Sequence, residues 1–118
     1  NLLWANFGNA YLGGVNFREA NLREANLRGA NLLRTDLREA NLMRANLEGA
    51  YSEGANFREA NLKGANFEGA NLQGANLRGA NFEGANLKGA NFEGTNLKEI
   101  LNLYLAKNLE YALKIKNL

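Results

Sequence analysis

At 118 residues and 13.0 kDa the chain has room for one domain around one core. Fourteen Lys and Arg face twelve Asp and Glu, a formal charge of +2. That is too balanced for a nucleic-acid-binding domain and far from the acid excess of a DNA mimic. His and Cys are absent, and the single Ser, single Asp and two Thr are scattered. This inventory excludes disulfides, thiolate zinc sites, histidine acid–base chemistry and the usual catalytic triads. No catalytic residue, metal ligand or cofactor site is expected, and the chain is read as a non-enzyme.

Pro is also absent, while Gly is 13 and Asn is 21, a composition that points to a repeated array. No run of 18 or more apolar residues occurs, so no membrane-spanning helix is predicted, and no leader segment is visible. Because residue 1 is Asn rather than Met, a processed or truncated product is expected. The cytoplasm is the default location, with a lumenal or periplasmic mature form as the alternative.

Asn1-Leu2 already stands in register with the repeat that follows, so repeats are expected upstream. Trp4, Gly8, Gly13 and Gly14 depart from the later pattern, and no capping helix opens the chain. Either Trp4 lies over the first coil or that coil stacks on another molecule, and this end is the expected oligomer contact. From Ala5 to Glu99 the chain then runs through nineteen five-residue cassettes. Position one is Ala except at Val15, Thr35 and Thr95; position two is Asn except at Tyr11, Asp36 and Tyr51; position three is Leu or Phe except at Ser52. A period of five suits neither a helix nor long strand alternation, but it suits a short extended stretch closed by a tight turn. Positions one and three then point inward and Asn points out or bonds the neighbouring backbone. Eleven glycines sit at position five, where a type II turn needs positive φ. Where Glu or Arg stands there, a different turn that avoids the left-handed region is expected.

Cassettes such as Ala20-Asn21-Leu22-Arg23-Glu24 and Ala85-Asn86-Leu87-Lys88-Gly89 resemble the pentapeptide repeat family, with its motif Ala-(Asn/Asp)-(Leu/Phe)-X-X. The resemblance covers about four-fifths of the chain, and the chain looks like the cyanobacterial members that lack an assigned role. It implies an all-β solenoid, a right-handed quadrilateral β-helix of four cassettes per coil and nearly five coils. The repeat is expected to form residues 1–99, with 100–118 as a C-terminal helical cap.

With 20 residues per coil, outward residues sort into four faces. One carries Arg18, Arg38, Arg58, Arg78 and Lys98 at position four, beside Glu19, Glu39, Glu59, Gly79 and Glu99. This ladder is either an interaction surface or a row compensated by its own glutamates, which would contribute only about 0–1 kcal/mol per pair. Asn at position two is read as structural. Tyr51-Ser52 breaks the inner column between Leu32 and Leu72. Tyr51 is expected to fold its ring over the gap, with a small pocket or an aromatic contact site as the functional alternative; Tyr11 lies on the same face 40 residues earlier. Leu33 and Met43, apolar at position four, fall on opposite faces and are read as isolated exposures.

After Glu99 the pentad stops, and Leu101, Tyr104, Leu105, Leu109, Ala112 and Ile115 fall on one helical face. An α-helix from about 103 to 115 is predicted, N-capped by Asn102 and covering the last coil. A dimer contact or weak membrane-surface binding are the alternative roles of this helix.

The functional expectation is a structural scaffold or protein-interaction module with a protein partner, monomeric or joined end to end as a homodimer. Neither nucleic acid nor a membrane is expected as partner. Candidate contact residues are Arg18, Arg38, Arg58, Arg78, Lys98, Tyr11, Tyr51 and Trp4. The resemblance also raises the topoisomerase-binding branch of the family, which protects gyrase from quinolones by mimicking DNA. Eleven acids against eleven bases through Glu99 give that mimicry no support.

Overall fold

The computed structural model describes residues 1–112. Position-two residues one coil apart form parallel bridges, from Asn6↔Asn26 through Asn71↔Asn91, always 20 residues apart. Four sides per coil follow, and the molecule measures 36 × 20 × 19 Å, a nearly square cross-section. Leu and Phe from position three stack along the axis and Ala lines the corners. From Leu22 to Leu87 every position-three Leu and Phe except Leu77 is fully buried, and Leu77 is 2% exposed.

One cassette explains why this spacing is stable. The Ala45 amide donates to Leu42 O across the turn at 2.9 Å. Asn46 N–H donates back to Ala25 O at 2.9 Å, while Leu47 and Gly49 N–H donate forward to Asn66 O at 2.7 Å and Glu68 O at 2.9 Å. The remaining amide, Glu48 N–H, donates to Asn46 Oδ1 at 3.0 Å. All five amides are thus satisfied, as buried backbone requires, and Asn is the residue that supplies the fifth acceptor. The extended stretch is so short that each side contributes a single bridge rather than a strand. The expected β-helix is therefore a solenoid of isolated bridges, without continuous sheets among the described residues.

The turns differ from expectation. Glu19, Glu24, Arg34, Glu39, Arg44 and Glu59 occupy position five with φ between 54° and 62°, the same left-handed region the glycines use. Such a conformation costs an L-residue about 1–2 kcal/mol. The turn bond and the forward bond from the position-five amide hold it in place on both flanks, as at Glu24 N–H to Met43 O, 2.9 Å. Glu99 alone among the described Glu and Arg at position five avoids positive φ. There the turn bond from Ile100 N–H to Leu97 O lengthens to 3.4 Å, and the bridge series has no pair between Asn76 and Asn96.

Ser52 is fully buried, and its Oγ has no hydrogen-bond partner. Tyr51 does not close over it: the ring is 56% exposed because position two points outward. Thr35, also buried at position one, does find an acceptor, its Oγ1 donating to Leu12 O at 2.9 Å.

The predicted α-helix is not formed between residues 103 and 112; its remainder, 113–115, lies outside the described residues. Leu103–Leu105 and Leu109–Tyr111 are 3₁₀ turns, and among the described residues the coil-to-coil bonding continues past Glu99. Leu101 N–H donates to Ala80 O at 2.8 Å and Lys107 N–H to Ala85 O at 2.7 Å. Each of these sides has six residues. The added residue, Asn102 or Asn108, takes the left-handed conformation (φ 56° and 59°). Their Nδ2 groups still donate to Asn81 and Asn86 Oδ1, at 3.1 and 2.9 Å. The open edge of the preceding coil offers these donors and acceptors, whereas an α-helix would leave them unpaired.

Candidate functional site

The asparagines at position two are structural, as their bonds show. Besides the amide two residues on, they join adjacent coils side chain to side chain: Asn26 Nδ2 to Asn6 Oδ1 at 3.1 Å and Asn86 Nδ2 to Asn66 Oδ1 at 3.2 Å. Positions four and five are left to face solvent.

On the cationic face each arginine has an acidic neighbour. Arg18 lies 3.8 Å from Glu39, Arg58 lies 3.5 Å from Glu59, and Arg78 lies 2.8 Å from Glu99. Arg38 turns instead onto Asp36, with Nε to Oδ1 at 2.9 Å and its terminal nitrogen to Oδ2 at 2.7 Å. That side-chain bond holds the Asp36 carboxyl below the usual carboxylate range, against a smaller opposing push from desolvation. Lys98, at the end of the row, makes no ion pair among the described residues. The ladder Arg18, Arg38, Arg58, Arg78 and Lys98 is therefore brought together in space but largely neutralised from within.

Tyr11 and Tyr51 do share a face, 81% and 56% exposed. Trp4 lies on a different side, 69% exposed, its amide bonded to Arg23 O at 3.1 Å; its ring does not close over the first coil. Between the tyrosines stand Leu33, which the sequence offered only as an isolated exposure, and Arg34, which it did not single out. Arg18, Arg23, Arg28, Arg38, Arg44, Arg58 and Arg78 all pair with a carboxylate, and among the described residues Arg34 alone does not. The available signal was its column, in which Gly14, Gly54, Gly74 and Gly94 stand on the other coils.

Among the described residues no group of His, Cys, Asp and Glu could hold a metal ion, and no helix is long and apolar enough to cross a membrane. An open groove of about 1120 Å³ runs along the last coil, lined by Phe92, Leu97, Ile100, Leu103 and Leu109 among others.

These features define a class: a four-sided solenoid of five-residue repeats whose outward arginines are mostly paired and which, among the described residues, carries no cluster of His, Cys, Asp and Glu that could hold a metal ion. The model of pentapeptide repeats matches in eight copies, over residues 1–38, 40–79 and 65–100, and the chain belongs to the pentapeptide repeat family. Members are right-handed quadrilateral β-helices. The crystal structure of Rfr23, a pentapeptide repeat protein from the cyanobacterium Cyanothece 51142, is 37% identical over 86% of each chain, with a TM-score of 0.56. That of alr5209, a pentapeptide repeat protein from Nostoc PCC 7120, is 34% identical over 94% of this chain and 84% of its own, with a TM-score of 0.65. A trypsin-treated form of QnrB1, a plasmid-mediated fluoroquinolone resistance protein, is 19% identical over 86% of this chain and 66% of its own, with a TM-score of 0.53. That last likeness is one of fold alone. No curated protein sequence matches the chain.

Proposed function

We propose that the chain is a non-enzymatic protein-interaction module or scaffold. The observation that carries this reading is the hydrogen-bond accounting of the cassette. Positions one, two and three, with the backbone, build the rod, so positions four and five are free to carry recognition on flat faces without altering the fold. Cross-linking through Lys63, Lys88 and Lys98 in native extract, read by mass spectrometry, tests it. One partner cross-linked from adjoining faces is expected; cross-links spread over all faces and many abundant proteins would refute it.

The gyrase-directed reading is the less supported one. A DNA mimic needs a continuous acidic surface, whereas this repeat holds eleven acids and eleven bases through Glu99. The chain is expected to leave gyrase supercoiling unchanged with and without a fluoroquinolone; protection of the enzyme would reverse this conclusion.

A further inference from the structure

We propose that Tyr11, Leu33, Arg34 and Tyr51 form a docking patch for a protein segment that presents one carboxylate beside an apolar or aromatic side chain. The inference rests on the interaction-module reading above and names its surface and its partner chemistry.

Four departures from the repeat coincide on one side of the rod. Tyr11 and Tyr51 replace Asn at position two, Leu33 replaces a polar residue at position four, and Arg34 stands at position five in a column otherwise made of Gly14, Gly54, Gly74 and Gly94. The two tyrosines and Arg34 weaken the solenoid. Without the Asn oxygen, the Gly13 and Glu53 amides lose the acceptor that other cassettes supply, as Asn31 Oδ1 does for Leu33 N–H at 2.9 Å. Arg34 sits at φ 54°, a conformation suited to glycine, and it lacks the ion pair that every other arginine has among the described residues. The rings do not repair the core either, since both are mostly exposed. Local departures that cost stability and return none mark functional positions.

The geometry suits a protein partner. The two tyrosines lie two coils apart, roughly 10 Å along the axis, with Leu33 37% exposed on the coil between them. Tyr11 leans over Gly13, where an added Cβ would meet its Cε1 at 3.5 Å. The stem of Arg34 rises toward the next coil on the same side, its Cγ 3.5 Å from where a Cβ would stand on Gly54. Tyr and Arg are the residues that dominate binding energy at protein interfaces. An arginine without an internal partner offers its full fork of donors to a carboxylate. Glu53 stands on the same side of the rod, so a single carboxylate at Arg34 fits better there than a polyphosphate backbone, whose many charges it opposes.

The test uses variants that return each position to the repeat: Tyr11→Asn, Tyr51→Asn and Arg34→Gly. These changes restore the motif, so lost binding cannot be assigned to unfolding; equal or higher melting temperatures verify this. A random twelve-residue peptide library displayed on phage is selected on the full chain, and the enriched peptides are synthesised. Peptides are expected to carry Asp or Glu next to an aromatic or aliphatic residue. Their binding should weaken by about tenfold or more in Arg34→Gly and again in the tyrosine variants. Peptides without carboxylates, or peptides that bind the triple variant equally well, would overturn the patch while leaving the module reading standing. No enrichment on either protein would count against both. A fluorescent oligothymidine that binds the wild-type chain and loses binding in the triple variant would overturn the protein partner in favour of nucleic acid.

Discussion

Replacing Ser52 by Ala isolates one hydroxyl in an otherwise apolar column. Ser52 is fully buried at position three, its amide bonded to Asn71 O at 2.8 Å, and its Oγ meets no acceptor or donor. An unsatisfied buried polar group costs about 1–3 kcal/mol, and alanine removes it with little change in volume. A gain of about 1–2 kcal/mol is therefore expected, or a rise of about 4–10 °C in melting temperature for a chain of this size. Ser52→Leu should stabilise at least as much. It gives the coil three Leu and one Phe, the set already packed one coil later as Leu62, Phe67, Leu72 and Leu77, all at most 2% exposed. The control is Thr35→Val. Thr35 Oγ1 is bonded to Leu12 O, so the same loss of a hydroxyl should lower stability by about 1 kcal/mol. Thermal unfolding followed by circular dichroism reads all three. A fall in melting temperature for Ser52→Ala would show that the hydroxyl is satisfied and that the argument from the empty column is wrong.

Other expectations follow from the turns, the added asparagines and the one aspartate. Gly49→Ala should cost about 1 kcal/mol from positive φ alone, because a Cβ there meets nothing within 4 Å; in urea titrations Gly29→Ala should cost about the same, since its Cβ meets only the exposed end of the Asn9 side chain, which can swing aside. Asn102→Val should release the sides beyond it by forbidding the left-handed conformation and deleting the bond to Asn81. Hydrogen exchange at Leu101 and Lys107 would report this as lost protection, and unchanged protection would contradict the six-residue sides. For Asp36 the folded pKa lies below the unfolded one because of Arg38. Its contribution is therefore present above the unfolded value, about pH 4, and lost as the pH falls through the folded value. Melting curves of wild type and Asp36→Asn between pH 7 and 2.5 should shift in the variant's favour as the pH drops; a constant difference would exclude the ion pair as the cause.

Much of the architecture was legible because the repeat encodes it locally. Ala and Leu or Phe two residues apart must share the inner side, and Asn between them is the one side chain placed to take the fifth amide. The same logic failed where partners are a coil away. Leu101, Tyr104, Leu105 and Leu109 have helical spacing, yet the unpaired edge at Ala80 and Ala85 templates another coil and outweighs local periodicity. Glu and Arg at position five avoid positive φ in isolation, but they adopt it where the bonds of adjacent coils hold the turn.

The candidate surface divides in the same way. Sequence columns alone placed Arg18, Arg38, Arg58 and Arg78 on one side and Tyr11 with Tyr51 on another, because a fixed period determines which residues stack. Which of those charges are already spent could be decided only in three dimensions. Arg38 chooses Asp36 on its own side, Arg18 reaches Glu39 on the next coil, and Arg34 reaches no carboxylate among the described residues. Periodicity sets the address of a side chain, whereas the direction its flexible stem takes depends on neighbours twenty residues away.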